Sequence, residues 1–141
     1  MYKFIKECKE GYSISEEDIE RIEEEYGIEI PSVLRKFYYN YNCARIHLCK
    51  FYVEGCEYEI SEILPLKYGE VCFEQVLEND RQDDIIPRNM LPLANNRGGD
   101  YYYWDTLSEN VYIYYCDDIE NPIYICKSIE EMFEIMNKSQ S

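Results

Sequence analysis

Cys43, His47, Cys49 and Cys56 are the one grouping in this 141-residue chain whose residue types suit metal binding or nucleophilic catalysis. Thiolates and an imidazole can hold zinc, and a Cys–His pair can attack a carbonyl. The spacing supports neither. Three, one and six residues separate them, which is no zinc-finger pattern, and no Cys-x-x-Cys occurs anywhere. His47 is the only histidine, so any His-based dyad must use it. Buried free thiols and a surface histidine are the plainer reading. With 29 Asp and Glu residues, an acid pair of glycosidase type can be drawn from many combinations, so none is informative. No catalytic, cofactor-binding or metal-ligating residue is assigned. An enzyme built on the 43–56 cluster remains only the third reading.

A second candidate is "NNRGGDYYYWDT", residues 95–106. Adjacent Gly98 and Gly99 allow positive φ and a sharp turn. A dinucleotide-binding loop needs a third glycine opening a helix, and a phosphate loop needs a closing Lys-Ser/Thr. Neither is present, and the residues after the glycines are aromatic and β-prone. The stretch reads as a tight structural turn feeding a strand.

The tyrosines form the third candidate; there are 16. In "VYIYY", strand alternation puts Val111, Ile113 and Tyr115 on one face and Tyr112 and Tyr114 on the other. In "IYIC", Ile123 and Ile125 share a face and Tyr124 points opposite. With the aliphatic sets against helices, Tyr112, Tyr114 and Tyr124 make a phenolic patch on the outer face, with Asp117, Asp118 and Glu120 close in sequence. Tyrosine buries a large rigid ring at low entropic cost, which suits a partner-binding surface. The alternative is that tyrosine is simply β-prone.

The elements that must position these residues are set by capping and periodicity. "SISEEDIERIEEEYG" is a helix with Ser15 and Asp18 as a capping box, Ile14 and Ile19 as a staple, and Gly27 as its stop. Pro31 opens a second helix with Val33, Leu34, Phe37, Tyr38 and Tyr41 as its apolar stripe. A strand is expected over 45–53, a short helix over 70–78, and a strand over 90–94 whose Pro92 places it at an edge or a strand end. Strands near 101–105, 111–116 and 123–126 precede a closing helix capped by Ser128 and Glu131, with Ile129, Met132, Phe133 and Met136 buried. Short turns between successive strands imply antiparallel pairing. The expected fold is α+β: one domain over residues 1–141, a mostly antiparallel sheet with the N-terminal helices and the C-terminal helix packed on one face.

Net charge narrows the partners. Against 29 acids stand 14 bases, for a formal charge of -15. Such a field repels nucleic acid and anionic lipid headgroups and attracts cationic surfaces. No apolar run approaches the roughly 20 residues that span a bilayer. The opening "MYKFIKECKEGY" lacks the apolar core of a signal peptide, and an odd count of seven cysteines fits reduced thiols, so a cytoplasmic location is expected.

Three segments resemble the SUKH superfamily, which includes the SMI/KNR cell-wall assembly regulators of yeast and many bacterial immunity proteins. Residues 14–42 are similar to its acidic helix, "lgi.lP" hinge and second helix ending in "yNG", through Gly27, Ile28, Pro31 and Asn42. "LPLANNRGGDYYYWD" resembles its "iPia.dggGd...ld" segment through Pro92, Ala94, Gly98, Gly99, Asp100 and Asp105. The terminal "KSIEEMFEIM" resembles its "sFeefl" helix. Cys43 stands where glycine commonly follows Asn42, and Asn96 and Arg97 alter the usual acidic, Gly-rich turn. The resemblance implies a non-catalytic binding module without cofactors. Its partner would be a cognate toxin of the polymorphic or contact-dependent kind, basic and of nuclease type, which it neutralises. The alternative is an intracellular scaffold or regulatory adaptor of the same fold; a homodimer is left open.

Overall fold

A computed structural model describes residues 2–140. Helix α1, Glu16–Tyr26, begins as its sequence dictates. The Asp18 backbone N–H donates to Ser15 Oγ at 3.2 Å, and the Ser15 N–H donates back to Asp18 Oδ2 at 3.0 Å. Gly27 ends the helix in the left-handed conformation at φ 64. Helix α2, Ser32–Tyr41, comes after Pro31 and buries Leu34, Phe37 and Tyr38. At the other end of the chain, Ser128 caps α4, Ile129–Lys138, by accepting from the Glu131 N–H at 3.1 Å. The return bond differs from the expected box. Glu131 Oε1 accepts from the Lys127 N–H at 3.3 Å, one residue ahead of the cap.

All strand pairs are antiparallel. β1 (Ile5–Glu7) pairs with β2 (Arg45–Ile46), and β3 (Cys49–Val53) pairs with β4 (Cys56–Ile60). The main sheet runs β5 (Glu62–Ile63), β6 (Met90–Asn95), β7 (Tyr101–Asp105), β8 (Val111–Tyr115) and β9 (Asp118–Cys126) in spatial order. The strand expected over 45–53 is therefore broken. The His47 N–H donates to Phe4 O at 2.8 Å and draws the first part to the N-terminal segment, while β3 folds onto β4. The helix expected over 70–78 lies further on, as α3, Phe73–Asp83. Its N-cap, Cys72, is extended and offers no side-chain cap, so nothing in the local sequence marked the start.

Pro92 sits within β6 beside a bulge, where Pro92 pairs with Tyr103 and Ala94 with Tyr102. β5 is two residues long and pairs only with Ala94 and Asn95. Contrary to the expectation of an edge or a strand end, Pro92 lies inside β6, which runs between β5 and β7, and the adjoining bulge is where a proline is tolerated within a sheet.

The main core joins all four helices to the inner sheet face. Ile19, Leu34, Phe37, Leu77, Met132 and Phe133 meet Leu91, Tyr102, Trp104, Val111 and Ile113. The outer face is not bare. Ile86, Tyr103 and Tyr114 form a second buried cluster, with Met90, Tyr101, Tyr112 and Ile119 packed around it. Among the described residues, no helix is long and apolar enough to cross a membrane.

Candidate functional site

The Gly98–Gly99 pair closes the β6–β7 hairpin. The Asn96 N–H donates to Asp100 O at 3.1 Å, and the Asp100 N–H returns to Asn96 Oδ1 at 2.9 Å. Only Gly99 needs positive φ, at 86. Arg97 leaves the turn and grips Glu59 on β4 through Nε and Nη2, at 3.1 and 2.8 Å to Oε1 and Oε2. That pair holds the Glu59 carboxyl below its usual range. Asp100 Oδ1 accepts from the Cys116 N–H at 2.9 Å, tying this turn to the β8–β9 turn. Burial alone would raise the Asp100 carboxyl, but bonds from Cys116 and Asn96 outweigh it and hold it low. Asp105 behaves likewise. Burial opposes its ionisation, yet bonds from Asn89 Nδ2 (2.9 Å), the Leu107 N–H (2.9 Å) and Ser108 Oγ (2.9 Å) keep it low. These two carboxylates brace loops and are committed.

Asn42 is 6% exposed and is the one buried polar residue in the core of the described chain. Its Nδ2 donates to Tyr12 O and Leu66 O, each at 2.9 Å, and its Oδ1 accepts from the Leu66 N–H at 2.9 Å. Gly27 and Pro31 shape the hinge between α1 and α2. Gly27, Pro31, Asn42, Pro92, Gly98, Gly99, Asp100 and Asp105 all occupy turns, joints or the bulge.

The Cys/His cluster does not assemble. Cys43 lies beyond α2, exposed His47 lies between β2 and β3, and exposed Cys56 starts β4. Cys49 is fully buried, its thiol donating to His47 O at 3.3 Å. Burial pushes the Cys43 and Cys49 thiols up, which disfavours the nucleophilic thiolate. Among the described residues, no three His, Cys, Asp or Glu side chains are placed to hold a metal ion.

The phenolic surface is narrower than its alternation suggested. Tyr112 and Tyr124 stand side by side on paired strands, ring centroids 6.0 Å apart and planes at 78°. Tyr124 is 47% exposed. Tyr114 is on the outer face but only 5% exposed, packed edge-on against Tyr103 and beneath Ile86. The residue that covers it comes from 84–90, a stretch without periodicity, so strand alternation could not announce it. Ile123 lies on the expected aliphatic face, paired with Ile113, but is left 40% exposed. Asp117, Asp118 and Glu120 are exposed at the β8–β9 turn and the start of β9, while the Tyr112–Tyr124 pair lies toward the other end of the hairpin.

A cleft of about 710 Å³, unforeseen from the sequence, opens between the starts of α2 and α4, the last turn of α3 at Arg81, and the loops around Arg88 and Thr106. Arg35 in it is held by Glu16 at 2.8 Å and Glu23 at 2.5 Å. Arg81 Nη1 donates to Tyr26 O at 2.9 Å. Acids line it too, among them Glu29, Glu109 and Glu130, so its charge is mixed. No cysteine or histidine lines it, and no nucleophile–base pair forms there.

Comparison with known proteins adds one match. The model of the SMI1 / KNR4 family (SUKH-1) fits residues 13–135. No curated protein matches the chain.

Proposed function

The chain belongs to the SMI1 / KNR4 family (SUKH-1), and from that premise we propose that it is a non-catalytic, cytoplasmic immunity protein. In this reading it binds a cognate, basic toxin domain of polymorphic or contact-dependent kind and covers the toxin's working surface. A nuclease fits best, because a protein that grips phosphates must be basic.

The observation that carries the reading is the exposed β8–β9 hairpin. Toward its open end Tyr124 and Tyr112 offer rings, while at and after its turn Asp117, Asp118 and Glu120 offer negative charge. The net charge of -15 supplies a long-range field that speeds the encounter with a cationic partner. Rings then slow the release. Protection against a toxin demands nanomolar binding, about -12 kcal/mol.

The test is co-expression with the basic toxin domain encoded beside the gene. The expected result is restored growth and a stable complex. Lysine at Asp117 and Asp118 should slow association about tenfold and flatten its dependence on salt. Unhindered killing overturns the immunity reading, and a complex without rescue favours the adaptor reading. Unaltered association rates move the interface elsewhere.

A further inference from the structure

Resting on that reading, we propose how the partner is held: an extended basic segment adds as a sixth strand along the free edge of β9. β9 ends the main sheet and is its longest strand, nine residues, whereas the opposite edge strand β5 has two. Its outward row of backbone N–H and C=O groups faces no strand. Among the described residues, no loop or cap backbone bond reaches positions 118–124 either.

Two neighbouring side chains show that the edge is open from both sides. Ile123 pairs with Ile113 of the inner face, and Tyr124 pairs with Tyr112 of the outer face. Successive strand residues point to opposite faces. Both are nonetheless exposed, at 40% and 47%. A helix or loop covering either flank would have buried one of them.

The way this edge is guarded identifies its occupant. Natural edges avoid promiscuous pairing with charge and proline. Here the guards are Asp117, Asp118, Glu120 and Pro122. Asp118 Oδ1 accepts from Asn121 Nδ2 at 2.8 Å, with no cation among its hydrogen-bond partners. Against a second copy of this chain, like charges would face each other across the new ladder, between two bodies at -15. Against a strand of alternating Lys or Arg and apolar residues, whose two kinds of side chain lie on opposite faces, the same acids become cross-strand partners of the cations, and Ile123, on the face opposite Tyr124, receives an apolar position. Acidity thus bars self-association and selects a basic β-strand.

The probe is an acetylated peptide of about six residues alternating Lys and Val, the length of an ordinary strand. Two controls accompany it: the same peptide N-methylated at every residue, which has no N–H left to donate along an edge, and a Lys–Ala helix of equal charge. Hydrogen exchange and titration by NMR read the result. Expected are roughly tenfold slower exchange at amides within 118–124 and roughly tenfold weaker binding of the methylated peptide. Equal binding of all three peptides, protection confined to other strands, or no binding at millimolar peptide overturns strand addition. So does a peptide-free dimer with protected β9 amides, which would make the occupant a second copy. A toxin complex that rescues growth with unprotected β9 amides also overturns strand addition and leaves the immunity reading standing, while failure of rescue strikes that reading alone.

Discussion

Cys43 follows Asn42 with φ 65, in the left-handed region that an L side chain enters at a cost. Glycine commonly stands at this place in the family pattern, so the backbone explains the pattern and the chain bears strain by departing from it. Gly99, at φ 86, meets the same demand with the residue that suits it, and a Cβ there would touch nothing within 4 Å. The penalty for a side chain at 99 is therefore purely conformational. We expect Gly99→Val to lower stability by about 2 kcal/mol. Cys43→Gly should raise it by about 0.5 kcal/mol, strain relief being partly offset by the freer unfolded chain. Gly98→Ala, with its Cβ at an ordinary 3.5 Å from Asn96 and Asp100, should change little. Thermal and urea unfolding of the three variants check the order. Equal stabilities of Gly99→Val and the parent would remove the turn assignment.

Between elements, Asn42 is the joint. It ties the end of α2 to the strand-like segment at Leu66 and to Tyr12 ahead of α1. Asn42→Ala strands the Leu66 N–H in the interior and leaves Leu66 O with the Tyr68 N–H alone, at 2.8 Å, and a loss of about 2 kcal/mol is expected in urea unfolding. A loss below about 0.5 kcal/mol would mean that these groups find other partners. The elements themselves were legible where local chemistry decides them: the Ser15–Asp18 box, the Gly27 stop and the apolar stripe of α4 all stand as read. What escaped was set by distant chain. His47 breaks the 45–53 strand because Phe4 takes its N–H, and the first residues are too charged to announce a strand. Tyr114 is covered by Ile86, and the cleft exists only once α2, α4, the end of α3 and the loops near Arg88 and Thr106 meet. The family turn, by contrast, was readable from Gly98 to Asp100 because adjacent atoms close it.

Over the whole molecule, acid should first help and then harm. Half-buried Glu74 and Asp80 have raised carboxyls, chiefly through desolvation, although Tyr103 donates to Asp80 at 2.7 Å. A raised acid opposes folding while ionised, so stability rises as pH falls through its folded value. Partial neutralisation of the -15 charge acts in the same direction. Asp18, Glu59, Asp100 and Asp105 are lowered, and their contribution is complete above the unfolded value near 4 and vanishes as pH drops through their folded values. The melting temperature should therefore be higher at about pH 5.5 than at pH 8, and fall below about pH 4. Glu74→Gln should flatten the neutral limb, since it removes the half-buried charge and keeps an acceptor for the Lys67 N–H, now 2.8 Å from Oε2. A monotonic decline from pH 8 downward would show that the lowered group dominates throughout.

The bond from the Cys116 amide to Asp100 gives the β8–β9 corner a fixed bearing before anything arrives. A loop left to fluctuate would surrender its own disorder on capture; this one has already been immobilised during folding. Slackening the adjoining Gly-rich bend should accordingly shorten the lifetime of a captured complex, although no atom of that bend need touch the guest.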